Sequence, residues 1–566
     1  FEARERVIKQ LKAEGLLINE EEYRTRVGFS QRTNAVVEPR ISTQWFLKMN
    51  ELAGKALNEV LTGNIKIHPE ERFIATYKYW LENVKDWCIS RQLWWGQRIP
   101  AYYTPEGEYA VGETKEEALS QLKIKNEKLV IDNLYQDDDV LDTWFSSWLW
   151  PIEVFQGITK PENNDINYYY PTSVLVTGQD IIFFWVARMI MAGMEYMNKK
   201  PFDHVYFTGM VRDKQGKKMS KSLGNSPDLL DLIDKYGADA VRFGIMISAP
   251  AGNDLLFDES SCEQGRNFNN KIWNALKLVK MLEERKLEVA NKESEESFAV
   301  QWFESRLTEV RMHVEQLYQQ FKLSEALKSI YSLIWDDFCS WYLEWMKPSA
   351  SEEISNSDYE KTINFFEQLT QLLHPFMPFI TEEIYHQLKD RKEGDDLVIR
   401  QFEVPKTVDA NILTRGELLK KIITSIREAK ARSQLKSQES IKVYLQGNKE
   451  EEISELLKKQ VFAEDVVYGI NPLQPDIVTT VDDLKILIEI KSPDKKITKE
   501  LQREQLSKDL DYLKGFLASV EKKLSNERFL QNAKPEVVEI ERRKKADAEQ
   551  KIKVIEESLG QLSESR

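Results

Sequence analysis

The chain has 566 residues, 42% of them hydrophobic and 11% aromatic, enough length and apolar content for three or four separately cored domains. Its net charge of −14 argues against a uniformly basic nucleic-acid binder, yet leaves room for a local basic groove, because the local field governs binding. The cysteines Cys88, Cys262 and Cys339 form no C-x-x-C pair, and the five histidines (His68, His204, His313, His374, His386) show no ligand spacing, so no structural zinc is expected and sparse cysteine fits a reducing cytosol.

In chain order, Phe1 to Leu17 reads as a short helix with Val7, Ile8 and Leu11 on one face and Gly15 at its end. This charged opening lacks the apolar core of a signal peptide, and with Phe1 rather than Met in first place the natural N-terminus is expected upstream. Arg24 to Ile41 reads as strands and loops. Glu70 to Trp87 carries aromatics at helical spacing, and polar Tyr103 to Lys128 reads as an inserted surface lobe. From Tyr168 the pattern becomes strand, helix, strand. Val174 to Gly178 and His204 to Val211 are buried-strand runs, and Ile181 to Met197 is the helix between them, which implies a parallel α/β sheet. The longest apolar run, Ile181 to Met194, is too short to span a bilayer and is interrupted by Arg188, so no membrane association is expected.

Helices dominate from Cys262 to Lys389, where Leu307, Val310, Val314, Leu317 and then Ile330, Ile334, Phe338, Trp341 keep helical periods and predict a bundle. Ile441 to Ile490 mixes short strands, Ile441–Leu445 and Leu484–Ile488 among them, with helix. At the end, Leu506, Leu510, Leu513, Leu517, Val520 and Leu524 alternate spacings of four and three. After a break near Asn526 and Pro535, Val538, Ala548, Ile552, Ile555, Leu559 and Leu562 fall on one heptad grid, with Glu541 and Lys545 at two seam positions. Two such helices predict an antiparallel coiled-coil hairpin.

The chemistry concentrates between Val211 and Gly237. A strand ends at Val211, Asp213-Lys214-Gln215-Gly216 turns, and Lys217-Lys218-Met219-Ser220-Lys221-Ser222-Leu223-Gly224-Asn225 follows. Ser226 is expected to cap the next helix, with Pro227 in its first position, Asp228 at its positive end and Gly237 at its stop. A glycine-flanked lysine loop at the carboxyl edge of a parallel sheet is placed to meet a nucleotide phosphate, and its lysines can stabilise charge developing on a leaving pyrophosphate. A lysine-rich loop taken alone is more often a solvated surface loop. Gly178-Gln179-Asp180 closes the preceding strand; Gly178 allows close backbone approach, and Asp180 can accept from hydroxyls or an amine or, equally, cap the helix. Asp142-Thr143-Trp144-Phe145-Ser146-Ser147-Trp148, read alone, is core.

The string Lys218-Met219-Ser220-Lys221-Ser222 matches, residue for residue, the KMSKS signature of the class I aminoacyl-tRNA synthetases, and the chain resembles that family. Val37–Phe46, Asp86–Gly96, Asp139–Ser147 and Asp180–Met189 look like the valyl-tRNA synthetases within it. The resemblance runs from Phe1 to the end, strongest from Glu38 to Arg242 and weakest from Gln446 to Lys496. It implies a multidomain α/β plus all-α fold: 1–36 as the tail of an editing domain, 37–250 as the second half of a Rossmann-type catalytic domain, and 251–436 as a stem-contact region and helical-bundle anticodon-binding domain. A small α/β connection, 437–496, and a coiled-coil tRNA-binding arm, 497–566, complete it.

The resemblance also implies the site. Lys218 and Lys221 are the catalytic lysines that hold ATP phosphates, and Met219, Ser220 and Ser222 complete the ATP-binding segment. Gly178 and Asp180 hold the adenylate, while Trp144 and Ile181 wall the valine pocket. The expected ligands are ATP with Mg2+, valine and tRNA(Val), for a cytoplasmic monomer. Arg427, Lys430 and Arg432 are candidates for tRNA backbone contact, as are Arg542, Arg543, Lys544 and Lys545 on the coiled coil; a plain exposed helix face accounts for either group equally well. His374 to Ile384 reads as core and helix start. The family's second signature, HIGH, is absent: His68 precedes Pro69 and His204 precedes Val205. The isolated chain is therefore expected to form no valyl-adenylate, and a half-sheet would leave an edge open to self-association. Three alternatives stay open: a tRNA-binding fragment only, an isoleucyl or leucyl enzyme, or a nucleotidyl transferase unrelated to tRNA.

Overall fold

The computed structural model describes residues 2–24, 26–30, 33–39, 41–123, 129–220, 224–249, 252–286, 296–348, 353–405, 407–446, 451–470, 475–482, 484–491, 499–526, 529–530 and 535–564. The chain divides into two compact units. The first comprises 1–62, 77–172 and 183–201, and the second comprises 63–76, 173–182 and 202–566.

In the first unit, the opening helix Glu2–Ala13 buries no residue. The helix Asn50–Leu61 puts Leu52, Ala53, Ala56 and Val60 on one buried face. It packs against the stretch from Arg188 to Ala192, which is buried throughout. The small alanines on the first helix let the two approach closely. The expected single helix from Ile181 to Met197 is instead a helical path of changing pitch. A 3-10 turn, Gln179–Ile181, leads into wide π-type turns at Ile182–Ala187 and Gly193–Met197, with ordinary α-helix only between them. Tyr109–Val111, Ala101–Tyr103 and Tyr135–Gln136 form an antiparallel sheet in that order. With the helix Lys115–Lys123 they enclose a core of their own that includes Tyr102, Ala118, Leu122 and Leu134.

In the second unit, Phe202–Thr208 is the central strand of three, between Lys66–His68 and Thr172–Gly178. It runs parallel to Lys66–His68, with Val205 opposite Ile67. Val205 and Phe207 point into the core, whereas Val174 and Val176 on the edge strand are exposed. The helices Leu229–Tyr236 and Ala238–Ser248 lead into the bundle. Asp228, not Ser226, caps the first of these: its carboxylate accepts from the Leu230 N–H, and Gly237 (φ 90°) stops the helix.

The bundle follows from periodicity. Glu259–Glu283 buries Cys262, Gly265, Phe268, Ile272, Ala275, Leu276, Val279 and Leu282, one stripe at spacings of three and four. Phe298–Gln319 buries Leu307, Val310, Val314 and Leu317 as expected. The buried carboxylate of Asp239 accepts from the N–H groups of Phe379 and Ile380, at the start of the helix Pro378–Leu388. That contact caps a helix from outside and ties the bundle to the segment that follows the sheet. His374 bonds Thr381 through its ring nitrogen, a core contact in keeping with its expected role.

Beyond the bundle, four strands lie in the order Ala463–Tyr468, Ile441–Leu445, Leu484–Ile490, Ile477–Val481. The first two are parallel, joined through the helix Glu451–Val461, as a parallel connection requires. Two long helices, Lys499–Leu524 and Pro535–Glu564, then pack against each other. Lys514 pairs with Glu556 and Lys545 with Glu521, so residue numbers rise on one helix as they fall on the other, and the pair is antiparallel. Leu506, Val520, Val538, Ala548 and Ile552 are buried between them, and so is Glu541. Leu562 lies outside the residues whose side chains are described. Among the described residues no helix is long and apolar enough to cross a membrane.

Candidate active site

Of the signature lysines, Lys218 stands on a small hairpin in the second unit. Val211–Arg212 pairs in parallel with Leu255–Leu256, and Arg212 then bridges antiparallel to Lys218. The turn between is closed by the Asp213 N–H donating to the Lys217 carbonyl (2.9 Å) and the Gly216 N–H donating to the Asp213 carbonyl (2.9 Å). Gly216 sits at φ 78°, a conformation glycine adopts without strain. Lys217 and Lys218 are exposed, Met219 and Ser220 half-buried; Lys221 and Ser222 lie outside the described residues.

The Asp213 carboxylate organises the turn. Its Oδ1 accepts from the N–H groups of Gln215 (3.0 Å) and Lys217 (2.8 Å), and its Oδ2 accepts from the Asn225 side-chain amide (2.9 Å). These donors, the Asn225 amide foremost, hold its pKa below the usual carboxylate range.

A second carboxylate, Asp254, joins the hairpin to the Gly178-Gln179-Asp180 turn. Its Oδ1 accepts from the Gln179 side-chain amide (3.1 Å) and the Met210 N–H (3.0 Å), and its Oδ2 pairs with Arg212. Its pKa is lowered, chiefly by the Met210 N–H and then by Arg212. The two motifs are thereby brought together through a residue that belongs to neither. Gly209 permits the close pass this needs, for a Cβ there would lie 1.6 Å from the Asn253 carbonyl oxygen. Gly178 has a specific role too: a Cβ on it would lie 2.7 Å from Asp180 Oδ1. Asp180 is exposed in the 3-10 turn that begins after Gly178.

Trp144 lines a separate cavity of about 1010 Å³ contained in the first unit. Its walls include Trp80, Trp87, Phe183, Phe184 and Arg188. Asp142 caps the short helix Thr143–Ser147 by accepting from the Trp144 N–H (2.7 Å) and pairs with Arg91, which fixes the indole beside Phe184 (ring centroids 6.0 Å apart). The Arg188 guanidinium lies over Trp87, 3.6 Å from the ring centroid, and burial pulls its pKa down to about 10. Ile181, the other expected wall, is half-buried and belongs to the second unit.

The expected RNA-contacting bases divide. Lys430 is a correction: it is only 2% exposed, and its ammonium donates to the carbonyls of Ser437 (2.7 Å), Glu439 (2.7 Å) and Val461 (3.0 Å). It continues the buried stripe of Leu419, Ile422, Ile423, Ile426 and Ala429, a signal already present in the helical spacing. Arg427 donates to the backbone and side chain of Gln460, and Arg432 pairs with Asp509. On the terminal helix pair, Arg542 and Arg543 stand near Glu539, Lys544 pairs with Glu541, and Lys545 with Glu521 and Glu549. Arg542 and Arg543 remain strongly exposed.

Among the described residues one grouping has metal-ligand spacing: Glu382, His386 and Asp396. The Glu382 carboxylate is already occupied there, accepting from the N–H groups of Leu397 and Val398. The cluster reads as a cap on that turn.

A parallel strand, a glycine turn and a lysine hairpin thus lie in one unit, and comparison with known proteins gives three family matches. The family of tRNA synthetases class I (I, L, M and V) matches residues 5–258, the anticodon-binding domain of tRNA ligase matches 300–445, and the valyl tRNA synthetase tRNA binding arm matches 497–563. The chain is thus similar to the class I aminoacyl-tRNA synthetases. Relatives that align over its whole length include valine–tRNA ligases. It is 50% identical over 565 residues to that of Phocaeicola vulgatus and 49% identical over 568 residues to that of Parabacteroides distasonis, alignments that cover 99% and 100% of this chain. The valine–tRNA ligase of Chlorobaculum tepidum is 38% identical over 594 residues. The chain spans 64% of the length of each of these relatives.

Proposed function

We propose that the whole protein is a valine–tRNA ligase. It activates valine with ATP to valyl-adenylate and transfers the valyl group to tRNA(Val). The valine carboxylate attacks the α-phosphorus of ATP, and the bond to the bridging oxygen breaks as pyrophosphate leaves. A ribose hydroxyl of the tRNA's terminal nucleotide then attacks the valyl carbonyl and AMP leaves. Lys218 and Lys221 are assigned to the negative charge that grows on the departing phosphates. Met219, Ser220 and Ser222 are assigned with them to ATP binding, and Gly178 and Asp180 to the nucleotide part of the adenylate.

The observation that carries this reading is the link through Asp254, which sets the exposed Asp180 turn beside the lysine hairpin. The hairpin offers cations rather than free carboxylates, so Mg2+ is assigned to the nucleotide's own phosphates. Trp144 and Ile181 are assigned to the valine side-chain pocket. A pocket of this kind excludes larger side chains by size but separates valine poorly from the near-isosteric threonine, a limit for which valyl enzymes are the standard example.

The bundle is assigned to the anticodon stem and loop, and the terminal antiparallel helix pair, read as a coiled-coil arm, to the tRNA body. Arg542 and Arg543 are strongly exposed on it. The protein is read as a cytoplasmic monomer.

ATP–pyrophosphate exchange by the full-length protein tests the reading. Exchange is expected with valine well above isoleucine and leucine, and Lys218→Ala is expected to lower kcat by about 10²-fold, the scale of one lost transition-state contact. Preference for isoleucine or leucine, or no exchange with any amino acid, would sink it. The 566-residue chain alone, which contains no HIGH string, is expected to show no exchange.

A further inference from the structure

The hairpin that carries the signature lysines is fastened by a side chain on its far side. Asn225 uses its amide three ways: Oδ1 accepts from the Ser220 N–H (3.0 Å), and Nδ2 donates to Asp213 Oδ2 (2.9 Å) and to the Lys218 carbonyl (3.3 Å). Gly224, at φ 65°, supplies the reversal that brings Asn225 back beneath Ser220. A tight turn accounts for the bonds from Asp213 to Gln215 and Lys217; it does not call for Asn225, twelve residues further on. The chain on both sides of residues 221–223 is therefore tied to one carboxylate.

We propose that Asp213 and Asn225 form a clasp that sets the position of the signature lysines, both acting as positioning residues for adenylate formation; this rests on the functional reading above. The amide and the carboxylate are complementary in one orientation only. The Asn225 oxygen is committed to the Ser220 N–H, so its nitrogen faces Asp213. Opening the clasp frees the Lys218 backbone by the ångström-scale distances that cost about 10²-fold when a reacting geometry is misplaced.

The orientation gives a test by exchange of partners. Asn225→Asp sets two carboxylates face to face, and Asp213→Asn sets two amides face to face. The double variant Asp213→Asn/Asn225→Asp restores one donor opposite one acceptor, with the bonds from Gln215, Lys217 and Ser220 still possible and only the longer one to the Lys218 carbonyl lost.

In full-length protein, each single variant is expected to lower kcat for valine-dependent ATP–pyrophosphate exchange by about 10- to 100-fold, with KM for valine within about twofold, and the double variant to regain about tenfold or more. Single variants with wild-type kcat, or a double variant as poor as the product of the singles, would overturn the proposal. Limited trypsin cleavage at Lys217, Lys218 and Lys221 gives a readout independent of activity: faster cutting in each single variant, and wild-type cutting in the double. Absence of valine-dependent exchange in the wild type would strike at the functional reading instead, and the cleavage pattern would still accept or reject the clasp.

Discussion

Replacing Lys430 by methionine separates two roles for a basic residue on the helix Ala410–Arg432. The side chain keeps its length and apolar stem, while its ammonium and three short bonds to the carbonyls of Ser437, Glu439 and Val461 are lost. Each carbonyl left dry costs about 1–3 kcal/mol. Against that stands the release of a desolvated ammonium, which the fold already pays for in part and which burial marks by lowering the Lys430 pKa. The net expectation is a loss of about 2–4 kcal/mol, or a fall of about 5–15 °C in the melting transition that includes this region. Differential scanning calorimetry of the chain measures it. Filter binding of tRNA across salt supplies the second half of the test. A phosphate contact would shift the slope of log K against log salt by about one unit; a structural lysine leaves it unchanged. An unchanged melt together with a shallower salt slope would refute the assignment and return Lys430 to the RNA surface.

Two other outcomes follow from the geometry. Gly178→Ala, at a backbone conformation alanine tolerates (φ −72°, ψ 146°), is expected to push Asp180 aside and lower exchange activity by about tenfold or more while leaving the melting temperature within about 2 °C; full activity would show that Asp180 needs no such room. His68 lies against Phe321 with ring centroids 4.0 Å apart and shares a 3.0 Å nitrogen contact with His204; burial, then His204 and Lys66, pull its pKa to about 4. The unfolded chain therefore takes up the proton first. The stability this ring contributes is complete above about pH 6.5 and is lost as pH falls toward 4, by about 2 kcal/mol for a partly solvated ring. His68→Phe is expected to flatten the fall in melting temperature between those pH values, and an equally steep fall in the variant would contradict the assignment.

The parts of this protein legible in its sequence are those written over a few consecutive residues. The string Lys218 to Ser222 names its family without any structure. The spacing of Leu506, Leu510, Leu513, Leu517, Val520 and Leu524 lays one apolar edge along a helix, and the structure finds these residues buried or half-buried. The Ser226 cap was misplaced by two residues because serine and aspartate both suit that position, and only backbone geometry chooses between them. Lys430 was misread for a related reason: charge suggested the surface while its place on the stripe of Leu419, Ile423 and Ile426 specified the interior.

Helical and strand periods, the lysine turn and the signature itself were determined by sequence alone, since each depends on neighbours within a turn or two of chain. Tertiary structure decided which distant groups share a proton donor or a charge. Asp254 meets Gln179 across 75 positions and Arg212 across 42, and nothing local in the sequence marks that aspartate for the role. The same holds for Lys430 and the Val461 carbonyl, 31 residues apart. Such contacts form only after packing has brought the elements together, and there a buried polar group must find a partner wherever the fold supplies one.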